Sequence, residues 1–239
     1  MSKPTKKFNV KIQHARLRPG DVWHVKSHGK TGRFLRSYRW GMNKWMKRLC
    51  KKNGWDFVEV WGNHDGLVIP RSSSKYGFLI GEALSRGSVL TPLEDYIEAM
   101  EQGFKEVRVY RPLSAIVAPD EAIWASHNWM NHIKGSGYNW LAFPRLLIKS
   151  MFMDWADSKY AILRKIGNSR AGVEWDNWCT EGDARAYSDY SPPRKDLWQT
   201  KNPTPMTTEQ VAGDLPHKIG KKVTLENITD SIITIEEVG

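Results

Sequence analysis

Six short apolar runs constrain this chain more than any other feature. They are Phe8–Ile12, Val22–Val25, Phe57–Trp61, Leu67–Ile69, Phe78–Ile80 and Glu106–Tyr110. Runs of this length suit β-strands and are too short for helices that bury a face. The Leu17-Arg18-Pro19-Gly20-Asp21 turn precedes the second run, and Asn53-Gly54 precedes the third. Helical patterns lie between them. From Gly32 to Lys52 the residues Phe34, Leu35, Tyr38, Met42, Trp45, Met46 and Leu49 recur at helical spacing, with Lys and Arg opposite. Thr91-Pro92 opens another helix, with Thr as the cap and Pro in the first turn. Further helices are expected over Pro119–Ile133, Leu146–Trp155 and, beginning near Cys179, Trp178–Tyr187. Strands interrupted by helices at irregular intervals predict an α+β layout rather than a doubly wound sheet. After Pro192-Pro193 the chain turns Pro- and Thr-rich. Lys222–Leu225 and Ser231–Ile235 then read as strands of a terminal appendage. The expected organisation is a basic arm over 1–16, a main domain over 17–193 and an extension over 194–239.

The 239 residues are 40% hydrophobic and include twelve Trp, enough to build a packed core. Two cysteines, Cys50 and Cys179, leave no room for a disulfide framework and point to a reducing compartment. No apolar run reaches the ~20 residues that span a bilayer, and the N-terminus lacks the apolar core of a signal peptide. The expectation is therefore a soluble, cytoplasmic protein. Its net charge of +10 is unevenly placed. Residues 1–54 hold sixteen Lys or Arg against one acid, Asp21, while the remainder holds 20 basic and 25 acidic groups. Such a lobe can meet an anionic partner, or can dock on the acidic remainder of the same chain.

Three residues stand out chemically. Cys179, in Trp178-Cys179-Thr180-Glu181, is expected at the first turn of a helix. There the dipole and unpaired N–H groups favour thiolate and can hold an oxyanion. The bland alternative is a small buried hydrophobe. His64, in Asn63-His64-Asp65-Gly66-Leu67-Val68-Ile69, sits at the edge of an apolar strand and can shuttle a proton, or can be a hydrogen-bonded sheet histidine. Glu82 lies on the next strand unit. If the two strands pair antiparallel, it reaches the distal imidazole nitrogen and fixes the tautomer. Alone, it would read as a strand carboxylate on the surface.

Together these motifs resemble the permuted NlpC-type cysteine peptidases, the YiiX/YebB-like branch of the papain-like superfamily. The order His, acid, Cys, the "NHDGLVI" strand, the Glu-Ala about 18 residues on and the late "WCTE" helix start carry the likeness. So do the Leu17–Val22 entry strand, the amphipathic helix Phe34–Lys52, the Gly87–Leu93 stretch and Tyr138-Asn139-Trp140. The resemblance covers roughly residues 17–190. It implies a circularly permuted papain-like fold, an antiparallel sheet packed on helices, with Cys179 as nucleophile, His64 as base and Glu82 as orienting residue. It implies a peptidase or amidase acting on peptide or other amide or ester bonds, with acyl transfer between lipids as a variant. Many such proteins are phage-encoded, which would place this one in an infected cell or a virion. Thr180 stands where the family often has Ser.

No cofactor motif or metal site is expected. His127 and His132, five apart, do not share a helix face. Asp154 and Asp157 suit neither a Ca²⁺ loop nor a paired-carboxylate site. Gly135-Ser136-Gly137 reads as a loop, and Cys50 as a helix-face residue. Two non-enzymatic readings compete. In one, the basic lobe with Tyr38, Trp40 and Trp45 binds nucleic acid, although aromatics at core spacing are expected to face inward. In the other, the chain is a structural component of a larger, phage-type assembly with a degenerate site.

Overall fold

The computed structural model describes residues 7–28, 40, 44, 47, 61–62, 64–114, 117–137, 186–187 and 225–238. They form a mixed α/β arrangement of the α+β kind, in which every described strand pairing is antiparallel. The strands are β1 (Lys7–Ile12), β2 (Val22–Ser27), β3 (His64–Pro70), β4 (Phe78–Leu84), β5 (Gly87–Pro92), β6 (Lys105–Pro112), β7 (Leu225–Asn227) and β8 (Ile233–Val238). Helix α1 (Leu93–Glu101) joins β5 to β6. Helix α2 (Pro119–Asn128) runs into a π-helical turn, Trp129–Ile133, and α3 is the single turn Thr229–Ile232.

Six strands make the main sheet in the order β5-β4-β3-β2-β6-β7, and β1 pairs with β8 in a second, two-stranded sheet. Two apolar clusters sort the main sheet into faces, because successive side chains on a strand point to opposite sides. Val22, Leu67, Ile69 and Tyr110 share a cluster with Ala125 and Trp129 of the α2 segment and with Ala186 and Tyr187. Trp23, Val25, Val68, Ile80, Val107 and Val109 share the other with Leu93, Tyr96 and Met100 of α1. Buried positions Leu93, Tyr96, Ile97 and Met100 give α1 one apolar face. Trp23 and Trp129 are fully buried, one in each cluster. The sheet is thus sandwiched, with α1 on one face and α2 on the other.

The Pro19-Gly20-Asp21 turn is held from several sides. Gly20 adopts φ +84°, and a Cβ there would run into Tyr187 and Ala122, so both conformation and space require glycine. The Asp21 carboxylate is buried and accepts from Arg111 Nε (2.8 Å) and Nη2 (2.7 Å) and from the Arg18 N–H (2.9 Å). The same Nη2 reaches the Arg16 carbonyl at 2.7 Å. The one acid of the basic lobe therefore ties the entry turn to β6 through a bidentate fork.

Most expected elements fall where the apolar runs lie. One local expectation is corrected. Thr91 does not cap α1. It belongs to β5, Pro92 holds the N-cap position, and no side chain caps the helix. Its hydroxyl is drawn instead to a buried carboxylate, Glu82. In the C-terminal segment, Ser231 and Ile232 lie in α3, and the strand begins at Ile233. Strand β7 pairs with β6, β8 pairs with β1, and Ile232 and Ile233 enter the core. Of the first expected helix only Trp40, Lys44 and Lys47 are described. The expected strand Phe57–Val60, Tyr138–Trp140, Leu146–Trp155 and Lys222–Thr224 lie outside the described residues.

Arg111→Ala leaves the buried Asp21 charge without its partner. The expected cost is about 3 kcal/mol in chemical unfolding. A cost below about 1 kcal/mol would mean that the ion pair contributes only as a surface pair does.

Candidate active site

Strand β3 lies between β2 and β4, and its register sets two imidazole–carboxylate pairs. Against β4 the partners include Gly66↔Glu82, so His64, two residues before Gly66, is diagonal to Glu82 on the same face. Its Nε2 lies 2.5 Å from Glu82 Oε2. The antiparallel pairing expected for these strands is present, and the carboxylate meets the distal imidazole nitrogen. With the carboxylate ionised, Nε2–H donates, leaving Nδ1 as the basic nitrogen.

Glu82 is buried and held by two further donors. Thr91 Oγ1 donates to Oε1, and Tyr96 of α1 donates to Oε2 at 2.5 Å. Burial alone would raise this carboxyl. The His64 hydrogen bond and charge, with the Thr91 and Tyr96 hydroxyls, outweigh it and bring the pKa from 4.5 down to about 2. The Lys105 ammonium stands 3.7 Å over the Tyr96 ring. Burial lowers its pKa, against the pull of Glu82 and Asp95. His64 itself stays partly accessible, with 13% of its side chain exposed, as a proton shuttle requires. Glu82 is not the surface carboxylate that a lone reading of its strand suggests.

The second pair was not singled out in the sequence. His24 on β2 is directly opposite Asp65 on β3. Both are buried, and His24 Nδ1 is hydrogen-bonded to Asp65 Oδ1. Alternation places this pair on the face opposite His64, beside Tyr110, whose ring is 6.0 Å from His24. Trp61 lies 5.5 Å from the same imidazole. Lys26 and Arg108 approach the Trp61 ring at 5.5 and 4.2 Å. The signal for His24 was present, a polar residue in the apolar run Val22-Trp23-His24-Val25, but its partner is 41 residues away.

Cys179, Thr180 and Cys50 lie outside the described residues, as do Asp154 and Asp157 and the side chain of His132. Of the expected triad the structure brings His64 and Glu82 together. Gly135-Ser136-Gly137 is a loop that clasps β5 at Ser88 through paired backbone hydrogen bonds of 2.8 Å. Trp40 is 59% exposed, with Lys44 5.1 Å from its ring, so this aromatic does not face inward. Among the described residues no group of three His, Cys, Asp or Glu could hold a metal ion, and no helix is long and apolar enough to cross a membrane. No family model matches the chain.

A depressed carboxylate stabilises the fold above its unfolded pKa, and the contribution is lost as pH falls through the folded value. For Glu82 that window runs from 4.5 down to about 2. Thr91→Val removes one donor, so Glu82 takes up its proton at higher pH. The expected result is a loss of about 1–2 kcal/mol at neutral pH, with acid unfolding followed by Trp fluorescence beginning at higher pH. Superimposable acid curves would show that the hydroxyl does not hold the carboxylate.

Proposed function

We propose that this protein is a cysteine hydrolase of the peptidase or amidase type, built on a circularly permuted papain-like domain. Cys179 is the nucleophile. An imidazole fixed by a buried carboxylate takes the thiol proton, and the thiolate attacks the carbonyl carbon of an amide or ester. Collapse of the tetrahedral adduct expels the amine or alcohol, which receives the proton from the imidazolium. Water then hydrolyses the thioester. Motif order names His64 as the imidazole and Glu82 as the orienting carboxylate.

The observation that supports this reading most is the His64–Glu82 hydrogen bond of 2.5 Å, with Glu82 held by Thr91 and Tyr96. Burying a glutamate carries a desolvation cost that its three donors offset, and a carboxylate held in this way can orient an imidazole. An imidazole so held has one defined tautomer and one basic nitrogen.

The basic lobe supports a second reading, a partner-binding surface for an anionic molecule. The observation in its favour is the exposed Trp40 with Lys44 against its ring. It concerns a different part of the chain and is compatible with hydrolysis.

The test is turnover of a panel of p-nitroanilide peptides and p-nitrophenyl esters, with quenched samples weighed by intact-protein mass spectrometry. The wild type is expected to show an acyl adduct on Cys179. Cys179→Ala is expected to lose turnover by at least about 1,000-fold while its far-UV spectrum and unfolding midpoint stay unchanged. Full turnover in the folded Cys179→Ala variant would overturn the proposal.

A further inference from the structure

Tyr96 of α1 is fully buried, and it links side chains from three strands of the sheet. Its hydroxyl donates to Glu82 Oε2 at 2.5 Å. The same oxygen lies 2.5 Å from His64 Nε2. The Lys105 ammonium stands 3.7 Å over the tyrosine ring. Trp23 of β2 meets that ring edge to face, with centroids 5.8 Å apart. The register explains the spacing. His64 is opposite Val25 of β2, and Val25 is opposite Val107 of β6. Lys105 is two residues before Val107 and so shares its face. His64 and Lys105 therefore stand two strands apart, roughly 10 Å across the sheet. Tyr96 reaches both, the histidine through Glu82 by its hydroxyl and the lysine by its ring.

A carboxylate beside an imidazole favours the imidazolium, which has no nitrogen free to accept a proton. Two features of this site oppose that. Oε2 accepts from Tyr96 and His64 together, while Oε1 accepts from Thr91, so the charge available to each donor is divided. Lys105 adds a positive charge that acts on Glu82. Its field makes the Tyr96 hydroxyl a stronger donor and disfavours a second cation at His64. The remaining charged neighbours come from α1, where Glu94 and Asp95 precede Tyr96, and Asp95 also acts on Lys105. The other elements packed on this face, β1 and β2, contribute apolar residues, among them Phe8, Val10, Trp23 and Val25.

We infer that Tyr96, backed by Lys105, is a positioning residue that sets the basicity of His64 and keeps its Nδ1 open to accept a proton. The inference rests on the reading of His64 as the base of a hydrolase and deepens it. Both residues act through Glu82. A purely structural role, in which Tyr96 pins α1 to the sheet, would leave the titration of His64 unmoved.

The experiment is an NMR pH titration of His64 in the full-length protein, with its resonances assigned by His64→Gln. The variants are Tyr96→Phe, Lys105→Met and Lys105→Arg, each checked for folding by far-UV circular dichroism. The His64 midpoint is expected to rise by about 0.5–1 pH unit in Tyr96→Phe and in Lys105→Met. Lys105→Arg, which restores the charge, is expected to return it to the wild-type value. Lys105→Met keeps an unbranched apolar stem on the ring, so it carries the test should Tyr96→Phe fail to fold. The acid limb of kcat/KM on the p-nitroanilide peptides is expected to move to higher pH by the same amount. Wild-type midpoints in the folded variants would overturn the inference. A midpoint that rises while the acid limb stays in place upholds the coupling and removes His64 as the base, so the inference and the reading beneath it fail separately.

Discussion

The register of β3 is the constraint on which the rest of this structure depends. With Gly66 opposite Glu82 and Asp65 opposite His24, one strand aligns an imidazole–carboxylate pair on each face. Side chains alternate with a period of two, so a slip of one residue would exchange the faces of every group on β3. His64 would move under α2 and Asp65 under α1, and Leu67 and Val68 would exchange clusters. The apolar pattern makes such a slip expensive, because Leu67, Val68 and Ile69 are buried on alternating sides. The polar pairs are therefore placed by the hydrophobic packing around them, and they in turn are satisfied only in that register.

Buried charge sets the second constraint. Asp21, Asp65 and Glu82 are each almost wholly buried, and each is met by a specific donor set rather than by solvent. Arg111 and the Arg18 N–H meet Asp21, His24 meets Asp65, and His64, Thr91 and Tyr96 meet Glu82. A carboxylate left alone in such a place would take up a proton or unfold the site. Some of these donors are local, such as the Arg18 N–H, but others come from distant parts of the chain, 90 residues away for Arg111 and Asp21. The sheet thus has to be assembled before its acids are satisfied. Asp21 anchors the turn into β2, and β2 carries His24, so the entry turn and the second pair are mechanically linked.

Much of the sheet was legible because its strands are short, apolar and separated by turn residues: β2, β3, β4 and β6 begin or lie where their runs do. His64 and Glu82 were legible because they flank those runs at a spacing that a hairpin brings together. Thr91 was misread because its sequence neighbour, Pro92, is the usual sign of a helix start, whereas the pull on its hydroxyl comes from Glu82, nine residues back. The His24–Asp65 pair was missed for a different reason. Its members are 41 positions apart in the sequence, and a polar residue inside Val22-Trp23-His24-Val25 does not by itself say which acid it meets. The Arg111 fork is equally nonlocal. Strand order, rather than strand position, was the information lacking.

The most direct test of this account is the tautomeric state of the two imidazoles, read by long-range ¹H–¹⁵N correlation spectroscopy of histidine-labelled protein at neutral pH. Assignments would come from His24→Gln and His64→Gln. The account predicts that His64 carries a proton on Nε2 and His24 on Nδ1, each in slow exchange with water and each donated to its carboxylate. Nitrogen shifts typical of freely averaging tautomers at both histidines would contradict it, because neither ring would then be held by the strand register described above.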